Sequence, residues 1–167
     1  MLLKKMELEN FRQYSGIQTV EFSQDPNKNV TLFLGKNTSG KTTLIQAFRW
    51  VFFNNCDFTG KGGSKKVLNS DVSRSMRVGD VQTARVTLSF THQGMDYEIS
   101  RKYEYRSKMP GESYLDKELP MTLHYYPNGE RQYVKNCDAK INEIMPESLA
   151  EYFFFDGEKI SQSRKPV

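Results

Sequence analysis

Gly35-Lys36-Asn37-Thr38-Ser39-Gly40-Lys41-Thr42 matches the pattern G-x-x-x-x-G-K-[ST] at every fixed position. The spacing has a chemical logic. Glycines let the backbone turn sharply and point successive N–H groups at one anion, and a helix that starts at the loop's end aims its positive dipole at the same place. The flanking sequence supplies both neighbours. Val30-Thr31-Leu32-Phe33-Leu34 is a short, nearly continuous apolar run, which predicts a strand buried on both faces. From Lys41 onward, Leu44, Phe48, Val51 and Phe52 recur at helical spacing, which predicts a helix of about four turns ending at Phe53 or Asn54.

A loop of this kind is expected to cradle the triphosphate of ATP. Backbone amides of Gly35, Asn37, Thr38, Ser39, Gly40, Lys41, Thr42 and Thr43 are the candidate phosphate contacts. Lys41 is expected to bridge the β- and γ-phosphates, and the Thr42 hydroxyl to be a ligand of Mg²⁺.

Toward the N-terminus, Met6 and Leu8 alternate with Glu7 and Glu9, and Val20-Glu21-Phe22 follows a polar turn at Ser15-Gly16. This reads as two antiparallel strands. Toward the C-terminus, Gly60 to Lys66 reads as a basic surface loop. Val86, Leu88 and Phe90 turn at His92-Gln93-Gly94 and return through Tyr97, Ile99, Tyr103 and Tyr105, a hairpin. A second hairpin runs from Met121, Leu123 and Tyr125 through Asn128-Gly129 to Gln132-Tyr133-Val134. The charged stretch between them, Arg106 to Lys117, reads as a loop around Pro110-Gly111. Asp138 to Met145 predicts a short helix stopped before Pro146.

The chain has 167 residues, enough for one ordinary domain, with 37% hydrophobic and 26% charged residues and a net charge of +4. That surplus is too small to identify a polyanionic partner by itself. Two cysteines, Cys56 and Cys137, and two histidines, His92 and His124, are too few for a zinc site or a disulfide framework. The chain turns charged at Lys4 and Lys5, too early for a signal peptide, and contains no membrane-length apolar run. A cytoplasmic protein with free thiols is the expectation.

Hydrolysis needs a further carboxylate on the metal and a group that orients water. Tyr152-Phe153-Phe154-Phe155 reads as a last buried strand ending in Asp156-Gly157-Glu158. Either it is a Walker B strand with Asp156 on the metal, or a loop that reaches the metal and γ-phosphate from a neighbouring subdomain. Asp156 is therefore the second candidate catalytic residue beside Lys41. Glu158 serves equally well as the start of another helix.

Glu9-Asn10-Phe11-Arg12-Gln13-Tyr14, the loop at Gly35 and the β-rich insert with Val86-Thr87-Leu88-Ser89-Phe90 together resemble the N-terminal half of an SMC-like, ABC-type ATPase head, the branch of RecF, RecN and the double-strand-break repair ATPases. Tyr152 to Ile160 resembles the matching segment of DndD, the ATPase of DNA phosphorothioation systems, and of related defence ATPases. The resemblance implies an α/β P-loop NTPase fold with a β-rich antiparallel subdomain. It covers residues 1–160, leaving 161–167 as a polar tail. By the same resemblance Arg12 reaches the phosphates, and Asp156 stands where the repair ATPases carry a glutamine.

The signature motif, a later Walker B and a switch histidine are not found in the sequence. In the family they belong to a C-terminal half beyond a coiled coil, so the resemblance implies that half, a second head and DNA as partners. ATP then joins two heads, and hydrolysis releases them. Two other readings compete. One is a self-contained P-loop kinase or GTPase, against which stand the absence of an N-K-x-D motif and the β-rich middle. The other is a non-hydrolysing, ATP-gated DNA-binding module using the Lys61 to Lys66 loop and the Arg101, Lys102, Arg106, Lys108 group.

Overall fold

The computed structural model describes residues 1–36, 39–55 and 66–153. Strands β1 (Leu2–Glu9) and β2 (Ile17–Glu21) are followed by helices α1 (Lys41–Phe53) and α2 (Ser70–Ser75). Then come β3 (Val81–His92), β4 (Met95–Met109), β5 (Glu112–Glu118), β6 (Thr122–Tyr125) and β7 (Gln132–Tyr133). Helices α3 (Cys137–Ile144) and α4 (Ala150–Phe153) close the described chain. The strands form one seven-stranded sheet in the order β2-β1-β3-β4-β6-β7, with β5 also on β4, and every pairing is antiparallel.

Alternation builds this sheet. Met6 and Leu8 of β1, Ala84, Val86, Leu88 and Phe90 of β3, and Ile99, Tyr103 and Tyr105 of β4 all point to one buried face. Between them stand residues such as Glu9, Arg85, Thr87 and Ser100 on the opposite face, where Arg85 pairs with Glu9 at 3.0 Å and Thr87 with Ser100 at 2.9 Å. The β3–β4 register is set by a turn in which Gln93 and Gly94 both take positive φ, 49° and 75°, the mirror-image turn whose twist suits a two-residue hairpin.

Helix α1 covers the buried face. Ala47, Trp50 and Val51 are wholly enclosed, with Trp50 packed 5.2 Å from the Phe11 ring and edge-on to Tyr103 at 5.1 Å. Helix α3 adds Ile141 and Ile144 to the same core. It begins as expected for its sequence, with the Asn136 side chain accepting the Ala139 amide at 3.2 Å.

Three sequence expectations are corrected. Arg106 to Lys117 is no loop: β4 continues to Met109, turns at Gly111 with φ 78°, and returns as β5. Its charges had hidden a two-stranded ribbon whose outer positions face water. Tyr152 and Phe153 lie in helix α4 and are 77% and 60% exposed, so the run is neither strand nor buried where it is described. A short apolar run carries no periodicity that separates helix from strand.

Val30 to Leu34 also forms no strand. Half-buried Thr31 accepts the Ser23 amide at 2.9 Å and Phe33, itself 40% exposed, meets Phe22 edge-on at 6.1 Å, while Val30, Leu32 and Leu34 are 81%, 77% and 86% exposed. A strand requires a paired neighbour, and Val30 to Leu34 pairs with none of the described strands. Cys137 is a buried free thiol, and Cys56 lies outside the described residues. No helix among the described residues is long and apolar enough to cross a membrane.

Candidate phosphate-binding site

The β1–β2 turn is the frame of the site. Asn10 closes it, donating its amide to the Gly16 carbonyl and accepting the Gly16 amide on its side chain, each at 2.9 Å. Two residues on, Arg12 sits at φ 55°, a left-handed conformation uncommon for a residue with a side chain. Both its peptide groups are held: its N–H donates to the Val67 carbonyl at 2.7 Å and its C=O accepts the Asn69 side-chain amide at 2.7 Å. Strain kept in place by its surroundings is characteristic of functional sites.

Asn69 is the hub. Almost fully buried, it donates its backbone N–H to the Asn10 carbonyl at 2.8 Å, and its side-chain oxygen caps α2 by accepting the Asp71 and Val72 amides at 2.9 and 3.1 Å. Asn69→Ala would orphan those amides and the Arg12 carbonyl together. We expect a loss of about 2 kcal/mol in urea unfolding, the sum of a lost cap and an unsatisfied buried acceptor. A loss near zero would mean that water replaces the side chain.

At the loop itself, Lys41 folds back and donates its ammonium to the carbonyls of Gly35 and Lys36 at 2.5 and 2.7 Å. Gly35 lies so close to Ser39 that a Cβ there would come within 2.4 Å of the Ser39 Oγ. Gly40 takes φ 99° and immediately precedes α1. Ser39 and Thr42 are exposed, whereas Thr43 is buried with its hydroxyl donated to Gln13 Oε1 at 3.0 Å. Thr43 can therefore offer a phosphate only its backbone N–H. Asn37 and Thr38 lie outside the described residues, as do Asp156 and Glu158.

On the other side of Gln13 opens a cleft of about 590 Å³, walled by Arg12, Gln13, Lys66, Asn69 and Arg74 among others. Arg12 and Lys66 bring positive charge to it. Burial draws the pKa of each below its ordinary value, with Glu112 opposing the effect at Lys66. An arginine stays charged regardless. The Lys66 ammonium donates to Ser73 Oγ at 2.8 Å, so this end of the basic stretch is a fixed wall; residues 61–65 lie outside the described ones.

The second group of candidate DNA contacts loses Arg101 to the core. Strand alternation sends Arg101 to the core face, where its Nε donates to the Val51 carbonyl at 3.3 Å, and Lys102, Arg106 and Lys108 to the opposite one. Lys102 pairs with Glu104, Arg106 with Asp116, both at 3.2 Å, and Lys108 lies over the Tyr114 ring. Sequence reasoning took Lys66 only as a DNA contact and missed Gln13, Tyr14 and Asn69 as parts of the site. Only the N-S-D run at Asn69 to Asp71, a helix-capping signal, could have pointed to one of them.

A glycine loop of the pattern G-x-x-x-x-G-K-[ST] at a helix N-terminus, with its lysine turned back over it, is the mark of the P-loop NTPase class. The family profile described as AAA domain matches residues 5–165, and the chain belongs to that family of ATPases, in its SMC-like branch. It is 33% identical over 108 residues to a DNA double-strand break repair Rad50 ATPase of Methanosarcina acetivorans, covering 65% of this chain and 9% of that protein. To a chromosome partition protein Smc of Halothermothrix orenii it is 28% identical over 172 residues, covering 92% and 14%. To a DNA replication and repair protein RecF of Lactococcus lactis it is 34% identical over 89 residues, covering 53% and 23%. The chain thus corresponds to a small part of each relative's length.

Proposed function

We propose that this chain is the ATP-binding N-terminal lobe of a cytoplasmic SMC-like ATPase that acts on DNA. The observation carrying this reading is the Lys41 ammonium held over the Gly35 and Lys36 carbonyls at the head of α1, with Arg12 fixed in a strained turn that touches the same helix through Gln13. In this reading Lys41 and the loop amides bind the triphosphate, and Arg12 adds charge to it. Thr42, exposed at the helix start, is the Mg²⁺ ligand contributed by this loop, and Asp156 is the second. Bound Mg²⁺ would neutralise phosphate charge.

The lobe is completed by a C-terminal half and by a second head across the nucleotide. The exposed row Val30, Leu32, Leu34 supports this, since an extended apolar segment leading into a phosphate loop is a surface that another element covers. In this reading residues 1–160 make up the lobe and 161–167 are a polar tail. DNA modification of the phosphorothioation kind and defence fit the resemblance of Tyr152 to Ile160, and repair fits that of Glu9 to Tyr14, the glycine loop and the β-rich insert. A self-contained kinase or GTPase fits less well, because the all-antiparallel described sheet lacks their alternating β-α order.

Co-expression with the downstream coding region tests the reading. We expect ATP-dependent dimerisation and hydrolysis from the reconstituted head, while the chain alone binds MgATP weakly and turns it over slowly or not at all. Robust hydrolysis by the monomeric chain would remove the requirement for another half. Failure of the two halves to assemble would favour the self-contained enzymes.

A further inference from the structure

Two residues of the β1–β2 turn reach past Arg12 and grip the beginning of α1. The Tyr14 hydroxyl donates to the Gly40 carbonyl at 3.1 Å, the same carbonyl that accepts the Leu44 amide at 3.1 Å. Both lone-pair directions of that oxygen are thereby used. One turn later on the same side, the Thr43 hydroxyl donates to Gln13 at 3.0 Å. The approach is tight enough that a Cβ on Gly40 would lie 2.7 Å from the Tyr14 oxygen and 3.2 Å from Gln13 Oε1. Gly40 is thus confined twice, by its left-handed φ and by the space Tyr14 occupies.

The two sides of this segment differ. Gly40 and Thr43 are buried, bonded to the turn through Tyr14 and Gln13, while Ser39 and Thr42 are exposed. Resting on the ATP-binding reading above, we propose that Gln13 and Tyr14 are positioning residues: they clamp the first turn of α1 so that its amides, Lys41 and the strained Arg12 form one rigid phosphate-binding unit. Neither side chain needs to touch the nucleotide. Gln13 also lines the cleft beside Arg12, so a change in that cleft is transmitted to Thr43 through one side chain. Burial raises the Tyr14 phenol above its ordinary pKa, which keeps it a neutral donor throughout the physiological range.

The decisive variants remove one hydrogen bond each without removing volume: Tyr14→Phe and Thr43→Val, with Thr43→Ser as the conservative control. Amide hydrogen exchange and MgATP calorimetry are measured on the same chain, well below its melting temperature. Loss of one bond should accelerate exchange of the Leu44 amide about fivefold to tenfold and weaken MgATP by a similar factor. Exchange at Trp50 and Val51, at the other end of the helix, should stay as in the wild type. Thr43→Ser should restore both readouts.

Wild-type Leu44 exchange and wild-type affinity in Tyr14→Phe and Thr43→Val would overturn the clamp. So would acceleration spread evenly along α1, since that is what general destabilisation produces. If the unmodified chain shows no MgATP binding while Leu44 still responds, it is the nucleotide reading that falls, and the two failures are told apart.

Discussion

Lys41→Ala is expected to abolish measurable ATP binding, weakening it by roughly a hundredfold or more, because a charged side chain that donates to two phosphates contributes about 1.5–3 kcal/mol through each charge-assisted bond. The fold should be almost untouched. Among the described residues the ammonium bonds to the Gly35 and Lys36 carbonyls, both on exposed residues that water can solvate once the lysine is gone. The cost in stability should stay under about 1 kcal/mol, a shift in melting temperature of roughly 2–4 °C for a chain of this size. Calorimetry with MgATP on the folded variant decides the matter. Undiminished affinity would show that residues 35–42 are not the nucleotide cradle, and the proposed function would go with them.

Trp50→Ala should have the opposite profile, a severe loss of stability with no direct part in binding. Trp50 is the chain's only tryptophan, wholly buried between Phe11 and Tyr103 where α1 meets the sheet. Truncating such a residue costs about 3–5 kcal/mol, a large share of the ~5–15 kcal/mol that holds a domain together. Trp50→Phe should cost less than half as much. Among the described residues the Trp50 indole nitrogen has no hydrogen-bond partner, so phenylalanine removes an unsatisfied buried donor while keeping most of the ring packing. Urea unfolding followed by circular dichroism compares the two variants. Equal destabilisation would mean that the indole N–H is satisfied after all.

These two residues, nine positions apart on one helix, mark how the chain divides its labour. The exposed N-terminal end of α1 serves the loop, and its middle serves the core. The sequence shows Lys41 within a phosphate-loop pattern and Val51 and Phe52 on an apolar stripe, whereas the burial of Trp50 emerges only in the fold. The first hairpin was legible too, because strict alternation on both strands leaves one register that buries Val86, Leu88 and Ile99 together. The second was marked by Asn128-Gly129, both at positive φ in the fold. Neither Asp156 nor Asn37 and Thr38 can be weighed in the same way, since they lie outside the described residues.

The misreadings share a cause. Val30 to Leu34 and Tyr152-Phe153 were judged by hydrophobicity, which says that a segment will be covered but not by what. The ribbon of β4 and β5 was hidden because charged residues on a strand's wet face look like those of a loop. The basic group at Arg101 to Lys108 looked coherent in one dimension and was divided by the pleat, with Arg101 sent to the core, Lys102 and Arg106 to acidic partners and Lys108 to the Tyr114 ring.

What the sequence determined by itself is whatever depends on neighbours along the chain: the glycine spacing of the loop, the helix after it, the alternating strands and their turns. Tertiary structure alone decided that Tyr14 would meet Gly40, that Gln13 would meet Thr43 and that Asn69 would hold Arg12, contacts between residues 26, 30 and 57 positions apart. Local spacing is written into backbone geometry, whereas a long-range hydrogen bond exists only after the sheet and helix have packed and brought its two ends within 3 Å or so.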